Sequence, residues 1–226
     1  MSIFAISDLH LSFSTNKLMD KFRGWENYTD RIQSNWKRLI KPDDTVVIPG
    51  DISWALKTEE AKKDLEFINS LRGTKVILKG NHDLWWPTMN KLNNFLNENN
   101  FTTIIPVFNN GYIVGDSCIC GTRGWFFDSP ESEEKVVLRE AGRLKTSLDF
   151  AVSNKKEPIV FLHYPPVYDG RVCEPIFNVI KEYNITTVYH GHIHGAGCNN
   201  AQKNYDGVEF KLLSADCVDF TPFFIK

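Results

Sequence analysis

Histidine and aspartate residues that could bind metal ions occupy a few short segments of the sequence. All six histidines of the 226-residue chain lie in these segments, whereas structural histidines would also be scattered over helices and surface. Imidazole nitrogens combined with carboxylate and amide oxygens suit manganese, iron or zinc, and they suit calcium poorly. We therefore predict a metal centre built from Asp8-Leu9-His10, Gly50-Asp51, Gly80-Asn81-His82-Asp83, His163 and His190-Gly191-His192-Ile193-His194.

Each of these segments follows a short apolar run that has the length of a β-strand. The runs are rich in β-branched residues and predict buried strands at 3–6, 45–48, 75–78, 158–162 and 186–189. In open α/β sheets, ligands bind beyond the carboxyl ends of the strands. We therefore expect these strand ends to converge on one site, although they are far apart in the sequence.

Apolar residues at helical spacing separate the predicted strands. They indicate helices near 30–40, 61–71, 88–96, 134–151 and 174–183, and Gly73 is expected to end the second helix in a left-handed conformation. Residues 112–114 and 118–120 flank Gly115-Asp116-Ser117 as the strands of a hairpin would, and runs at 208–213 and 220–225 predict further strands. This alternation favours a layered α/β fold that includes a mixed sheet.

In their order, the five segments resemble the motif blocks of the calcineurin-like metallophosphoesterases. The resemblance extends from residue 8 to residue 194. It implies an α/β fold of two packed mixed β-sheets flanked by helices, the αββα sandwich of this family, and a chain of this length is expected to form a single domain over 1–226. It also implies a dinuclear centre in which one metal ion binds Asp8, His10 and His194, the second binds Asn81, His163 and His192, and Asp51 bridges both.

A centre of this kind would hydrolyse a phosphoester. Two divalent ions roughly 3.5 to 4 Å apart lower the pKa of a shared water molecule toward neutrality, which supplies a hydroxide nucleophile. About one positive charge remains when Asp8, Asp51 and the hydroxide are counted against the two ions, and this balance suits a phosphate anion. His82 follows Asn81 directly and is the expected general acid, with Asp83 orienting its ring. The alternative for His82 is a residue that only positions Asn81.

The roles that we expect for other polar residues near the motifs are less specific. His190 matches no ligand position of the family, so we expect it to pack or to form a hydrogen bond. Arg123 and Arg171 are candidates for binding substrate oxygens, but a solvated or structural role is favoured for each.

The sequence departs from the serine/threonine protein phosphatases of the family just after Asp51. Those enzymes carry a further acidic residue and a phosphate-gripping arginine at the positions that Trp54 and Ala55 occupy here. We therefore expect a small phosphomonoester or phosphodiester as the substrate. Trp54, Trp85 and Trp86 lie close to the ligand segments, and stacking on a nucleobase is open to them beside ordinary core packing. A nucleotide-like substrate thus stays an alternative.

A metal-dependent nuclease and a non-catalytic scaffold of the same fold are the rival functions. The formal net charge of -2 gives no electrostatic reason to bind nucleic acid, although a local basic patch leaves that class open. A scaffold is expected to lack ligands, whereas all seven are present with His82. The N-terminus has no secretory signal and no apolar run reaches the roughly 20 residues of a membrane span. These features predict a cytoplasmic protein that does not bind membranes, and they leave its oligomeric state open.

Overall fold

The structure, a computed structural model, describes residues 1–125 and 133–226. Its strands are β1 (Ile3–Ala5), β2 (Thr45–Pro49), β3 (Thr74–Leu78), β4 (Ile104–Pro106), β5 (Tyr112–Val114), β6 (Ser117–Thr122), β7 (Glu157–Leu162), β8 (Val167–Tyr168), β9 (Arg171–Val172), β10 (Thr187–His190), β11 (Asn204–Tyr205), β12 (Val208–Leu212) and β13 (Phe223–Phe224). Its helices are α1 (Tyr28–Leu39), α2 (Lys62–Ser70), α3 (Met89–Glu98), α4 (Glu133–Ser153) and α5 (Glu174–Glu182), together with 3-10 helices at Met19–Lys21 and Gly195–Asn199.

The chain divides into two compact units. Unit 1 comprises residues 1–106 and 213–226, and unit 2 comprises residues 107–212. The sheet of unit 1 has the strand order β13-β1-β2-β3-β4, in which β13 is antiparallel to β1 and the other neighbours are parallel. Because β1, β2 and β3 are parallel neighbours, the loops that follow them emerge at the same edge of this sheet.

The sheet of unit 2 has the strand order β11-β12-β10-β7-β6-β5. Its four inner strands run parallel, and the outer strands β11 and β5 are antiparallel to their neighbours. Strands β8 and β9 form a separate hairpin. Since β7 and β10 are parallel neighbours, the loops that follow these two strands also leave the sheet at one edge.

Each unit has its own hydrophobic core, and the helices contribute residues at helical spacing. In unit 1, α1 buries Tyr28, Ile32 and Trp36, which recur every four residues along one helix face. In unit 2, α4 buries Leu144 and Leu148 in the same way. Full burial of such an apolar side chain contributes about 1.5 to 3 kcal/mol. The helices therefore cover the sheets with the apolar residues that recur at helical spacing.

The two large mixed sheets and their flanking helices confirm the predicted α/β class. Helix α2 ends at Ser70 as predicted, and Gly73 has φ +81 where an added Cβ would lie 2.6 Å from the Asp44 carbonyl oxygen. Of the strand predicted at 220–225, only Phe223–Phe224 forms, and β4, β8, β9 and β11 were not predicted because two or three residues show no period.

The single domain over 1–226 stays a prediction. Among the described residues, no helix is long and apolar enough to cross a membrane.

Candidate metal centre

In unit 1, the loops that follow β1 and β2 run side by side. Backbone hydrogen bonds extend the strand pairing into the loops, because Asp8 N donates to Gly50 O at 3.0 Å and His10 N donates to Asp51 O at 3.0 Å. The side chains of Asp8, His10 and Asp51 are buried. The pairing therefore fixes the backbone of three predicted ligands below the protein surface.

The same three residues have backbone conformations that are unfavourable for side chains with a Cβ atom. Their φ angles are positive, at 59° for Asp8, 46° for His10 and 50° for Asp51. The left-handed region costs about 1 to 2 kcal/mol for an ordinary residue, and such strain clusters at functional sites where surrounding contacts enforce it. The loops thus hold these side chains in one direction at the expense of local stability, as a binding site requires.

The Asp51 carboxylate is the centre of the contacts in unit 1. Its Oδ1 accepts a hydrogen bond from His82 N at 2.8 Å, while its Oδ2 lies 3.8 Å from His10 Nε2 and 4.0 Å from His82 Nε2. One carboxylate oxygen of Asp8 lies within 4.8 Å of a ring nitrogen of His10. Ligand atoms on one ion with bonds of about 2.0 to 2.2 Å are about 3 to 4.4 Å apart. The carboxylates and the imidazole therefore fit a transition-metal ion in chemistry and in spacing.

The loop after β3 approaches Asp51 so closely that only glycine fits at position 80. A Cβ atom on Gly80 would lie 2.2 Å from both Asp51 N and Asp51 Oδ1. Real Cβ contacts are essentially never shorter than 3.0 Å. The half-buried Asn81 and His82 follow directly, so Gly80 determines how near this loop comes to the bridging carboxylate that the resemblance assigns to Asp51.

Asp83 holds together the loops that follow β2 and β3. Its Oδ1 accepts hydrogen bonds from Ile52 N at 2.9 Å, Ser53 N at 3.2 Å and Trp85 Nε1 at 2.9 Å, and its Oδ2 accepts one from Gly80 N at 2.8 Å. Burial raises the pKa of this fully enclosed carboxyl group, although the four N–H donors favour the charged form. These contacts give Asp83 a part in positioning the loops, and its predicted role in orienting the His82 ring stays a prediction.

Two residues that sequence reasoning missed also support the ligands of unit 1. The Ser214 hydroxyl donates to Asp8 Oδ2 at 3.0 Å, and the Tyr28 hydroxyl donates to the His10 carbonyl oxygen at 3.1 Å. Ser214 is 206 positions away from Asp8 in sequence. A single serine does not form a sequence motif. Ser214 comes close to Asp8 through its parallel bridge with Ser7, just beyond β1.

The three tryptophans near the motifs have different environments. Trp85 and Trp86 are buried in the core of unit 1, which agrees with ordinary packing. Trp54 is half-buried, and its ring stacks on His10 at 4.8 Å with an interplanar angle of 19° and contacts His82 at 4.3 Å. Trp54 is therefore the tryptophan that borders the ligand side chains.

In unit 2, His163 and His192 come together beyond the adjacent strands β7 and β10. Gly191 N donates to His163 O at 3.1 Å, and a ring nitrogen of each histidine lies within 4.8 Å of the other. His192 has a φ of 72°. Tyr164, which was not predicted, places its ring 4.4 Å from that of His192. Two of the predicted ligands in this unit therefore form a pair at ligand spacing.

Apart from the predicted ligand His194, the other polar residues of unit 2 are consistent with structural or solvated roles. His194 precedes the 3-10 helix Gly195–Asn199, and the buried His190 places Nδ1 3.0 Å from Gly191 O. Arg123 stacks its guanidinium group 4.8 Å from the Trp125 ring centroid and lies 3.9 Å from Glu140 Oε1. Arg171 is exposed on β9.

The chain belongs to the calcineurin-like phosphoesterase family, whose model matches residues 1–196. This match confirms the resemblance that the five motif segments indicated. Membership makes a metal-dependent phosphoesterase the general class of the protein. No curated protein matches the chain.

Several solved structures share the fold at low sequence identity. The protein TT1561 of Thermus thermophilus is 14% identical with a TM-score of 0.60, over 99% of this chain and 97% of that one. The protein of unknown function AQ665 from Aquifex aeolicus is 18% identical with a TM-score of 0.55, over 99% and 95%. A phosphopantetheinyl hydrolase from Mycobacterium tuberculosis is 17% identical with a TM-score of 0.50, over 94% and 88%. At these identities the similarity concerns the fold alone.

Proposed function

We propose that the chain hydrolyses a small phosphomonoester or phosphodiester at a dinuclear metal centre. The observation that carries this proposal is the buried Asp51 carboxylate, whose Oδ2 has the imidazole nitrogens of His10 and His82 at 3.8 and 4.0 Å. A buried carboxylate with imidazole nitrogens beside it offers the oxygen and nitrogen donors that divalent transition metals bind, which supports a metal ion at this position. The ligands in this proposal are those of the family motifs, namely Asp8, His10, Asp51, Asn81, His163, His192 and His194.

The proposed cofactor is a pair of manganese, iron or zinc ions, with iron as Fe²⁺ or Fe³⁺. When bound, such ions lower the pKa of a water molecule and neutralise negative charge on the phosphoryl group. Asp51 supplies a carboxylate that can bridge two ions, and its bond from His82 N holds Oδ1 in place. The histidine and carboxylate donors favour these metals over calcium.

His82 is proposed as the general acid that protonates the leaving oxygen. Its side chain is 43% exposed, whereas that of Asp51 is 2% exposed, so a substrate can reach the imidazole without a large rearrangement. The backbone bond to Asp51 fixes the position of this residue beside the proposed centre. An acid in this position contributes about 10²- to 10⁴-fold to the rate when the leaving group is poor.

Substitution of Asp51 tests the proposed metal-dependent hydrolysis. Purified protein is analysed for bound metal, stripped with a chelator, and assayed with added manganese on p-nitrophenyl phosphate and bis-p-nitrophenyl phosphate. We expect activity that returns with manganese and is lost in Asp51→Asn, while Asp116→Asn, at a fully exposed carboxylate, keeps it. Activity that survives both chelation and Asp51→Asn would exclude the proposal. Full metal occupancy without hydrolysis would favour a scaffold, and cleavage of single-stranded DNA would favour a nuclease.

A comparison of leaving groups tests the proposed role of His82. Phenyl phosphate needs protonation of its leaving oxygen far more than p-nitrophenyl phosphate does. His82→Asn should therefore lower kcat much more for phenyl phosphate, with unchanged metal content. An equal loss on both substrates would assign His82 to positioning Asn81 instead of to acid catalysis.

The physiological substrate and the cellular location are also proposals. A nucleotide-like compound is one candidate, because Trp54 is half-buried beside His10 and His82. A phosphopantetheinyl compound is another, since one protein with this fold is named as a phosphopantetheinyl hydrolase. A panel that contains both classes, assayed with the manganese-loaded protein, would rank them. The cytoplasmic location stays a prediction from the sequence.

A further inference from the structure

A lysine from a distant loop lies against the tryptophan that borders the proposed centre. Lys17 Nζ is 4.4 Å from the centroid of the Trp54 ring, a distance typical of a cation–π contact. The same centroid is 4.3 Å from the His82 ring and 4.8 Å from the His10 ring. Lys17 Nζ therefore lies no more than about 9 Å from either histidine ring, close enough for the flexible lysine to approach a substrate bound beside them.

Trp54 is fixed from several sides, so it can determine where the lysine lies. Its backbone N donates to Leu11 O at 2.9 Å, and its indole Nε1 donates to Met19 Sδ at 3.3 Å. The neighbouring Ser53 forms a hydrogen bond with the buried Asp64 carboxylate. Lys17 itself is exposed, so its ammonium group is accessible to a ligand.

We propose that Lys17, positioned by Trp54, binds the non-bridging oxygens of the substrate phosphoryl group. This inference rests on the proposed phosphoesterase function. The structure places the cationic Lys17 beside Trp54, which borders the proposed centre. A phosphomonoester dianion carries one more negative charge than a phosphodiester, so Lys17 favours the monoester.

The size of the effect follows from the exposure of the lysine. A charge-assisted contact between an exposed lysine and a phosphate anion is moderate in strength, because water competes for both partners. Loss of Lys17 should therefore raise KM for p-nitrophenyl phosphate about 3- to 10-fold. An interaction that binds the substrate and the transition state equally changes KM and leaves kcat almost unchanged.

The experiment compares Lys17→Met and Lys17→Arg with Lys21→Met in the manganese-loaded protein. Lys21 is an exposed lysine of the same segment, in the 3-10 helix Met19–Lys21, and serves as the matched control. Calorimetric binding of inorganic phosphate is measured beside the steady-state kinetics of p-nitrophenyl phosphate and bis-p-nitrophenyl phosphate. Metal content is determined for every variant.

We expect Lys17→Met to weaken phosphate binding about 3- to 10-fold and to raise KM for the monoester more than for the diester. Lys17→Arg should retain most of the affinity, and Lys21→Met should behave like the wild type. Trp54→Leu should reproduce the loss with intact metal content, and adding Lys17→Met to it should have little further effect. Phosphate binding that is unchanged in Lys17→Met, or an equal loss in Lys21→Met, would overturn the inference. Phosphate binding that depends on Lys17 in a protein without hydrolysis would reject the proposed function alone.

Discussion

Gly80→Ala is the change that most directly tests whether the approach of two loops forms the metal centre. The added methyl group would lie 2.2 Å from Asp51 N, 2.2 Å from Asp51 Oδ1 and 2.9 Å from Asp51 Cγ. Relief of these overlaps to an ordinary contact requires a displacement of about 1 Å or more between the loops. The hydrogen bond from His82 N to Asp51 Oδ1 is then lengthened or broken.

Two effects of this displacement have expected sizes. Overpacking of an enclosed site typically lowers the free energy of unfolding by about 1 to 3 kcal/mol. Loss of a contact that orients a metal ligand typically lowers metal affinity about 10- to 100-fold. The two effects are similar in free energy, because a 10- to 100-fold loss of affinity corresponds to about 1.4 to 2.7 kcal/mol, so each needs its own measurement.

Manganese titration of the chelated protein, followed by calorimetry and by phosphatase activity, measures the predicted loss. Urea unfolding of the metal-free protein separates stability from metal binding. Gly142→Ala is the control, because an added Cβ meets nothing within 4 Å there and alanine favours the helix α4. Wild-type manganese affinity in a folded Gly80→Ala protein would refute the inference that the close approach of these loops forms the site.

Ser214→Ala should weaken manganese binding about 10-fold, because Asp8 Oδ2 loses the hydroxyl that orients it; an unchanged titration would contradict this role. Lys75→Met should lower the free energy of unfolding by about 2 to 4 kcal/mol in urea, because the buried ammonium group donates to the carbonyl oxygens of Leu71 and Gly73. An unchanged midpoint would argue against it. Burial raises the pKa of Asp64, so folding favours its protonated form, and the stability of the wild type relative to Asp64→Asn should fall as the pH rises above about 4. A difference in unfolding free energy that does not vary with pH would contradict that sign.

The sequence alone predicts the strands and helices whose apolar residues follow a regular spacing along the chain. Strands β2, β3 and β7 contain buried apolar runs, and the helices show a clear 3.6-residue period, so their positions could be predicted closely. Short pairings such as β8 with β9 depend on tertiary contacts and leave no periodic signal. For this reason the prediction found the central strands and missed the shortest ones.

The ligand residues were more predictable than the residues that position them. Asp8, Asp51 and His163 lie within three residues of the ends of β1, β2 and β7, and histidine and aspartate are informative residue types at strand ends. Asp83 illustrates the limit, because its place beside His82 in sequence gives no sign that its carboxylate accepts hydrogen bonds from Ile52, Ser53, Gly80 and Trp85. Adjacency in sequence does not determine which way a loop side chain points, so such roles require coordinates.

The last residues of the chain show how the strained ligand loops of unit 1 are held in place. The family match ends at residue 196, but residues 213–226 return to unit 1, where Ser214 binds Asp8 and the buried Phe220 packs its ring 5.1 Å from Trp25. The Trp25 ring in turn lies 5.9 Å from that of His10. Left-handed backbone at Asp8 and His10 opposes folding by less than the roughly 1 to 2 kcal/mol of an ordinary residue, because aspartate and histidine are enriched in this region. Burial of aromatic rings and a hydrogen bond to a carboxylate are large enough to offset it. The geometry of the motif loop therefore depends on residues outside the family motifs.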